Sequence, residues 1–130
     1  MAQADAAPGG TETLLLVEDD ANVRDLVADF LSSAGYHVVQ GGDADEAEAA
    51  CHAVTGHIDL LVSDVVLPGL DGPGLLSRLR QSVPALPALL ISGYPGDAVV
   101  RPGPESGTTF LAKPFSRGVL LAKVREALGA

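Results

Sequence analysis

Short apolar runs alternate with stretches of helical spacing along most of this chain, and that alternation constrains the fold strongly. Five runs have the length and composition of strands, at residues 14–17, 36–40, 58–63, 88–92 and 108–112. Parallel neighbours in a sheet need long crossover connections, and helices supply them. The pattern therefore predicts an α/β domain with a five-stranded parallel sheet and helices on both faces.

Between the strands, apolar residues recur at helical spacing. The first helix is indicated by Val23, Leu26, Val27, Phe30 and Leu31. Asp20 is placed to cap its start and Gly35 to end it. The inward residues expected in three further helices are Ala47, Ala50, Cys51 and Val54, then Leu75, Leu76 and Leu79, and, after a start at Ser116, Leu120, Val124 and Leu128.

One connection departs from this pattern. Prolines and glycines interrupt residues 93–107 and leave only residues 97–101 as continuous helix-compatible chain. We therefore expect the helix between the fourth and fifth strands to be short or irregular.

Length and composition limit the class of protein. The chain has 130 residues, enough for one domain. Residues 1–12 are small and polar, so we expect a flexible tail there and a single domain over residues 13–130. The longest apolar runs are about five residues, which argues against membrane insertion. A single cysteine, Cys51, is compatible with a reducing cytoplasm.

Charge makes direct nucleic-acid binding unfavourable. The chain carries 17 acidic side chains against 8 lysines and arginines. Binding to phosphates requires clustered cations. The acids are therefore either solvated surface charges or part of a cation site, and their positions must decide between the two.

Polar side chains follow four of the predicted strands where each strand ends. They are Glu18, Asp19 and Asp20 after the first, Asp64 after the third, Ser92 after the fourth and Lys113 after the fifth. In open parallel sheets, ligands bind outside these carboxyl ends. Converging carboxylates repel one another unless a cation lies among them, and a set of oxygen ligands suits Mg²⁺.

A carboxylate beside Mg²⁺, with a hydroxyl and a lysine, is the set of groups needed for phosphoryl transfer to an aspartate. Asp64 would be the nucleophile, and Ser92 would donate a hydrogen bond to the phosphoryl group. Lys113, one of only two lysines, would neutralise charge on its oxygens.

Four motifs lie at these strand ends: LVEDD at residues 16–20, SDVVLPGLDG at 63–72, ISGY at 91–94 and FLAKPF at 110–115. Together they resemble the receiver domain of two-component response regulators. The resemblance covers residues 13–128. It implies the flavodoxin-like strand order 2-1-3-4-5.

The resemblance also implies roles for individual residues. Asp64 matches the phosphoacceptor, and Pro68 and Gly72 match the turn that shapes the loop after it. The implied metal ligands are Glu18, Asp19, Asp64 and the backbone carbonyl of Val66. The implied phosphoryl contacts are Ser92 and Lys113, and the implied conformational switch pairs Ser92 with Phe110.

The function implied is a signalling switch. A histidine kinase or a histidine phosphotransfer domain would donate a phosphoryl group to Asp64 with Mg²⁺, in a two-component phosphorelay. The domain would modify only itself, so it is not expected to be a turnover enzyme, and no organic cofactor is expected. No attached output domain is expected after residue 130. GGTET at residues 9–13 and SGY at 92–94 resemble receivers at the C-terminal end of hybrid sensor histidine kinases.

Plainer interpretations remain for each feature. The acids could form a solvated rim, Lys113 could be a surface lysine, Ser92 could simply end a strand and Phe110 could be ordinary core. A haloacid-dehalogenase-type phosphatase would need Asp-x-Asp after the third strand, where this chain has Val65 and Val66 after Asp64. A flavodoxin would need a phosphate-binding loop where the first strand is followed by three acids.

Overall fold

A computed structural model describes residues 9–54, 57–93 and 108–129. Five strands and four helices lie within these residues. Their bounds, in chain order, are β1 Thr13–Val17, α1 Ala21–Ser33, β2 His37–Gly41, α2 Ala44–Ala53, β3 Leu60–Asp64, α3 Gly72–Leu79, β4 Ala88–Ser92, β5 Thr108–Ala112 and α4 Arg117–Leu128.

The five strands form one parallel sheet in the order β2-β1-β3-β4-β5. This confirms the flavodoxin-like order that the resemblance implies. In register, Leu16 of β1 lies between Gln40 of β2 and Val62 of β3. The chain leaves β1 toward β2 and then returns to the other side of β1, so strand order reverses between β1 and β3. A crevice is expected at that point, outside the carboxyl ends of these strands.

The central strands are buried on both faces, which explains their uninterrupted apolar sequence. In β1, Leu14 and Leu16 face one core cluster with α1 and α4. Leu15 and Val17 face the other, with α2 and α3. Helices therefore cover both faces of the sheet, as predicted.

The ends of α1 follow from two residues. The Asp20 carboxylate caps its start by accepting hydrogen bonds from the backbone N–H of Asn22 at 2.9 Å and of Val23 at 3.3 Å. Gly35 follows its last turn with φ +102°, a left-handed conformation that favours glycine, and donates to Ser32 O at 3.0 Å. Both predicted helix signals are confirmed.

The apolar stripe of α1 faces the core as predicted except at one edge. Leu26 is 52% exposed, whereas Ala28 is buried beside Val27 and Leu31. The prediction that Leu26 faces the core was wrong. Spacing defines an arc of the helix about 100° wide, but the tilt of the helix on the sheet decides which edge of that arc is covered.

Two strands begin later than predicted. β2 begins at His37 and β3 at Leu60, not at Tyr36 and Ile58. Both apolar residues are nevertheless buried. A side chain can join the core before its backbone joins the hydrogen-bonded sheet, so apolar runs overestimate strand length.

The last residues of the predicted tail contact the domain. Gly10 N–H donates to Ala34 O at 3.2 Å, and Glu12 O accepts from His37 N–H at 3.0 Å. The boundary of the domain at residue 13 stays a prediction. The predicted short or irregular helix after β4 falls on residues 94–107, outside the described residues. Among the described residues, no helix has the length and apolarity to cross a membrane.

Candidate functional site

Three carboxyl groups meet at the point where strand order reverses. One carboxylate oxygen each from Glu18, Asp19 and Asp64 can be chosen so that all lie within 4.8 Å of one another. Glu18 and Asp64 are buried, at 5% and 8% exposure, while Asp19 is exposed. The structure therefore brings together the three acids that the sequence placed at one sheet edge.

Glu18 is fixed where the chain leaves β1. Its N–H donates to Gly41 O at 3.2 Å, which extends the pairing of β1 with β2. Its side-chain Oε2 accepts from the Asp20 N–H at 3.1 Å. Arg24 Nη1 donates to its carbonyl at 2.6 Å. Both the backbone and the side chain of this buried acid are thus held.

Asp64 is the last residue of β3, and the loop that follows it folds back against the end of this strand. Gly72 N–H donates to Val65 O at 2.8 Å, which folds residues 66–71 back over the strand end. A side chain at Gly72 would collide with the Asp64 carbonyl, so only glycine allows this close approach.

Lys113 enters the same cleft from β5. Its Nζ lies 3.3 Å from Asp64 Oδ1 and 3.4 Å from Glu18 Oε1. Lys113 N–H donates to Ser92 O at 2.8 Å, which holds the residue at the end of the β4–β5 pair. The Lys113–Pro114 peptide bond is cis. One positive charge therefore lies against two buried carboxyl groups.

These contacts displace the pKa values of all three groups. Burial raises the pKa of Asp64 to about 7, and the adjacent Glu18 adds to the rise while Lys113 opposes it. Burial also acts to raise the pKa of Glu18, but hydrogen bonds with Asp64 and the Asp20 N–H, together with Lys113, outweigh it and lower that pKa. Burial acts to lower the pKa of Lys113, yet the two carboxylates raise it overall.

The donor set fits a hard cation. Within the described part of the chain, buried Asp64 Oδ1 accepts no hydrogen bond, although Lys113 Nζ lies at ion-pair distance from it. A buried carboxylate oxygen without a hydrogen bond is unfavourable until a donor, a water or a cation partners it. The converging groups are all carboxylates, which suit Mg²⁺ better than a soft metal.

The cleft has a volume of about 480 Å³ and is lined on one side by the loop after β3. Val66 and Pro68 line this side, and the Val66 side chain is 58% exposed. Gly93 also lines the cleft and lies near the Lys113 side chain. That the Val66 carbonyl is a metal ligand stays a prediction.

Ser92 and Phe110 are placed on the same face of the sheet. Ser92 ends β4, between Ile91 and Gly93, which both line the cleft. Phe110 of β5 pairs with Leu90 of β4. Leu90 precedes Ser92 by two residues on the same strand, so the side chains of Ser92 and Phe110 lie on one face of the sheet. Phe110 is partly buried against the core cluster that α2 and α3 cover. The geometry is compatible with the predicted pairing of these residues, which it does not test.

Arg24 was not among the residues singled out from the sequence. Its contact with the Glu18 carbonyl joins α1 to the strand end that carries the acids. The sequence did contain a signal for Arg24, because a cation near the N-terminus of a helix interacts unfavourably with the helix dipole. Such a residue needs a compensating partner, which here is a backbone carbonyl.

Comparisons with known proteins agree with this geometry. The family described as response regulator receiver domain matches residues 14–125. The sensor kinase CckA of Brucella abortus is 41% identical over 120 residues, which cover 92% of this chain and 13% of that protein. The response regulator protein FleR of Pseudomonas aeruginosa is 39% identical over 119 residues, 89% of this chain and 24% of that protein. This chain thus spans a small part of both relatives.

Solved structures show the same fold. The receiver domain of the hybrid histidine kinase CckA superposes with a TM-score of 0.75 at 37% identity, covering 89% of this chain and 98% of that one. A putative response regulator from Chloroflexus aurantiacus gives a TM-score of 0.79 at 33% identity, covering 93% of this chain and all of the other (100%).

Proposed function

This chain belongs to the response regulator receiver domain family, and on that basis we propose that it is the phosphoacceptor switch of a two-component phosphorelay. Asp64 is the acceptor. The observation that carries the proposal is the meeting of Glu18, Asp19, Asp64 and Lys113 around one buried carboxylate oxygen.

Mg²⁺ is the proposed cofactor. Glu18, Asp19, Asp64 and the Val66 carbonyl would hold it, and it would supply positive charge to the phosphoryl oxygens. The residues fit this ion because they offer oxygen ligands only. Binding would also offset the repulsion between the two buried carboxyl groups.

In the proposed reaction, a carboxylate oxygen of Asp64 attacks the phosphorus of a phosphohistidine. The P–N bond of the donor breaks, a P–O bond to Asp64 forms and the imidazole leaves. Lys113 contributes charge to the transferred group, and the Ser92 hydroxyl donates a hydrogen bond to it. Movement of Ser92 toward the phosphoryl group then admits Phe110, which is the proposed switch.

The proposed donor is a histidine kinase or a histidine phosphotransfer domain. Support comes from the relatives, since one is named a sensor kinase and another a response regulator. The chain is proposed to be a receiver of the kind found in hybrid kinases, because CckA is such a kinase by name. A turnover activity on other molecules is not part of the proposal, and a cytoplasmic location stays a prediction.

The test is phosphorylation by a small donor. The protein is incubated with acetyl phosphate and MgCl₂, and its intact mass is measured. We expect a species heavier by about 80 Da, one phosphoryl group, which disappears when MgCl₂ is replaced by EDTA.

Two variants identify the acceptor. Asp64→Asn should abolish the added mass. Asp59→Asn is the matched control and should keep it, because Asp59 precedes β3 and its carboxylate accepts from Thr13 N–H at 2.8 Å, at the opposite edge of the sheet. Added mass in Asp64→Asn, or none in the unsubstituted protein, would contradict the proposal.

A further inference from the structure

We propose that Arg24 is a positioning residue for the cation site, which it serves by holding the peptide that joins Glu18 to Asp19. The inference rests on the proposed function, because it concerns the same acidic pair. Arg24 does not belong to the three-carboxylate cluster, and it acts through the backbone from which two of those carboxylates extend.

The contact is short and charge-assisted. Arg24 Nη1 lies 2.6 Å from the Glu18 carbonyl oxygen, and the residue is partly buried. Hydrogen bonds from a guanidinium are roughly twice as strong as neutral ones. The carbonyl it holds belongs to the peptide whose N–H is that of Asp19, so the bond restrains both acids at once.

The guanidinium lies beside the turn between β2 and α2. A Cβ at Gly42 would lie 3.1 Å from Arg24 Nη1 and 3.1 Å from Glu46 Oε1. Glu46 Oε1 accepts from the Gly42 N–H at 2.6 Å. Arg24 therefore lies close to Gly42 at this turn while it donates to the Glu18 carbonyl, and a side chain at position 42 would crowd it.

The placement of Arg24 carries an electrostatic cost. It lies near the positive end of the α1 dipole, where a cation is unfavourable, and close to a site that would bind another cation. Charge alone therefore predicts that removing Arg24 tightens cation binding. Positioning predicts the opposite, because restrained ligands bind a cation more tightly than mobile ones. The two explanations differ in sign.

The experiment compares Arg24→Met and Arg24→Lys with the unsubstituted protein. Affinity for Mg²⁺ is measured by calorimetry, and affinity for Mn²⁺ by the EPR signal of the free ion. We expect Arg24→Met to weaken binding about tenfold, as outer-shell substitutions commonly do. Arg24→Lys keeps a charge and a donor and should recover most of the affinity. Arg78→Met is the matched control: it removes an arginine paired with Glu48 and should leave binding unchanged.

A second measurement needs no cation. In the cation-free protein, the amide ¹⁵N chemical shift of Asp19 reports the hydrogen bond on the Glu18 carbonyl, because this carbonyl and the Asp19 N–H belong to the same peptide group. It should move in Arg24→Met and return toward its original value in Arg24→Lys, while circular dichroism confirms that both variants fold.

The outcomes separate the two proposals. If folded Arg24→Met binds cations as tightly as the unsubstituted protein or more tightly, or leaves the Asp19 amide shift unchanged, the role of Arg24 is refuted. If the unsubstituted protein binds no divalent cation, the proposed function itself fails, whatever the amide shift shows.

Discussion

Asp64 and Glu18 bury two carboxyl groups side by side, with one lysine ammonium against both. Three charged groups thus leave one net negative charge in a space largely shielded from water. A proton on Asp64 is one way to remove it, and burial raises the pKa of Asp64 to about 7 accordingly. A bound cation is the other.

The raised pKa of Asp64 predicts how stability depends on pH. The folded value of about 7 exceeds the ordinary value of 3.8. Between these values the folded state holds a proton that the unfolded chain has released, so stability falls as pH rises from about 4 to about 7 without Mg²⁺. Asp64→Asn removes this loss. We expect it to raise the free energy of unfolding at neutral pH by roughly 1–3 kcal/mol, measured by urea titration.

The control for this prediction is Asp25→Asn, which changes an exposed acid on α1. Because it changes only an exposed charge, it should leave the free energy of unfolding at neutral pH nearly unchanged. If Asp64→Asn and the unsubstituted protein gave parallel curves from pH 4 to pH 7, the proton held by Asp64 in the folded state would be ruled out.

Asp19 provides a test of the metal site that spares the core, because this member of the cluster is exposed. Excess MgCl₂ should raise the Tm of the unsubstituted protein, since a ligand of the folded state stabilises it. In Asp19→Asn we expect most of that increase to be lost, with little change in the Tm measured without metal. An equal increase in both proteins, followed by differential scanning fluorimetry, would remove Asp19 from the ligand set.

Individual elements are held by local signals that can be tested separately. α2 begins at the Asp43 cap, whose carboxylate accepts from the Glu46 N–H at 2.8 Å. Loss of such a cap costs about 1 kcal/mol, so Asp43→Ala should lower the free energy of unfolding by that amount. Asp45→Ala, at an exposed position in the first turn of α2, should cost less than half as much. Equal losses in urea titrations would show that charge near the dipole, and not the cap, stabilises α2.

Caps and cores differ in how far sequence predicts them. Asp20, Gly35 and Ser116 act within a few residues of themselves, and all three were placed correctly from sequence. The exposure of Leu26 on α1 was not predicted, because Leu26 lies outside the contact that Val27 and Leu31 make with the sheet. That contact depends on where α4 packs, far along the chain.

At the scale of the whole molecule, the residues that precede β1 are joined to α4 by an ion pair. Arg125 Nη2 lies 2.6 Å from Glu12 Oε2, and Nη1 contacts Glu12 Oε1 and Gly9 O, both at 3.2 Å. The Arg125 side chain, hydrogen bonded to Glu12, lowers the pKa of that carboxyl. The pair thus connects parts of the chain separated by more than one hundred residues.

A double-mutant cycle on Glu12→Gln and Arg125→Met measures this connection. The Arg125 guanidinium binds the Glu12 carboxylate in a bidentate manner, and both side chains are about three-quarters buried. We expect a coupling energy of about 1 kcal/mol at neutral pH, reduced by salt. Because the pKa of Glu12 is lowered, the coupling is present at neutral pH and is lost as pH falls through that lowered pKa. A coupling of zero at low salt would show that the bond adds nothing to stability.

The sequence by itself determined the class of fold, the ends of several helices and the set of polar residues that terminate the strands. Each of these follows from local physics: apolar runs need two covered faces, caps satisfy backbone N–H groups nearby, and the carboxyl ends of parallel strands share one edge. Asp64 and Lys113 could therefore be singled out before their distance was known.

Only the tertiary structure decided the separations on which the chemistry depends. It set 3.3 Å between Lys113 Nζ and Asp64 Oδ1, buried Glu18 while leaving Asp19 exposed, and brought Arg24 to the Glu18 carbonyl. These features depend on register, helix tilt and the packing of elements distant in sequence. Burial then sets the pKa of Asp64, because the cost of a charge depends on all the atoms around it and not on its neighbours in the chain.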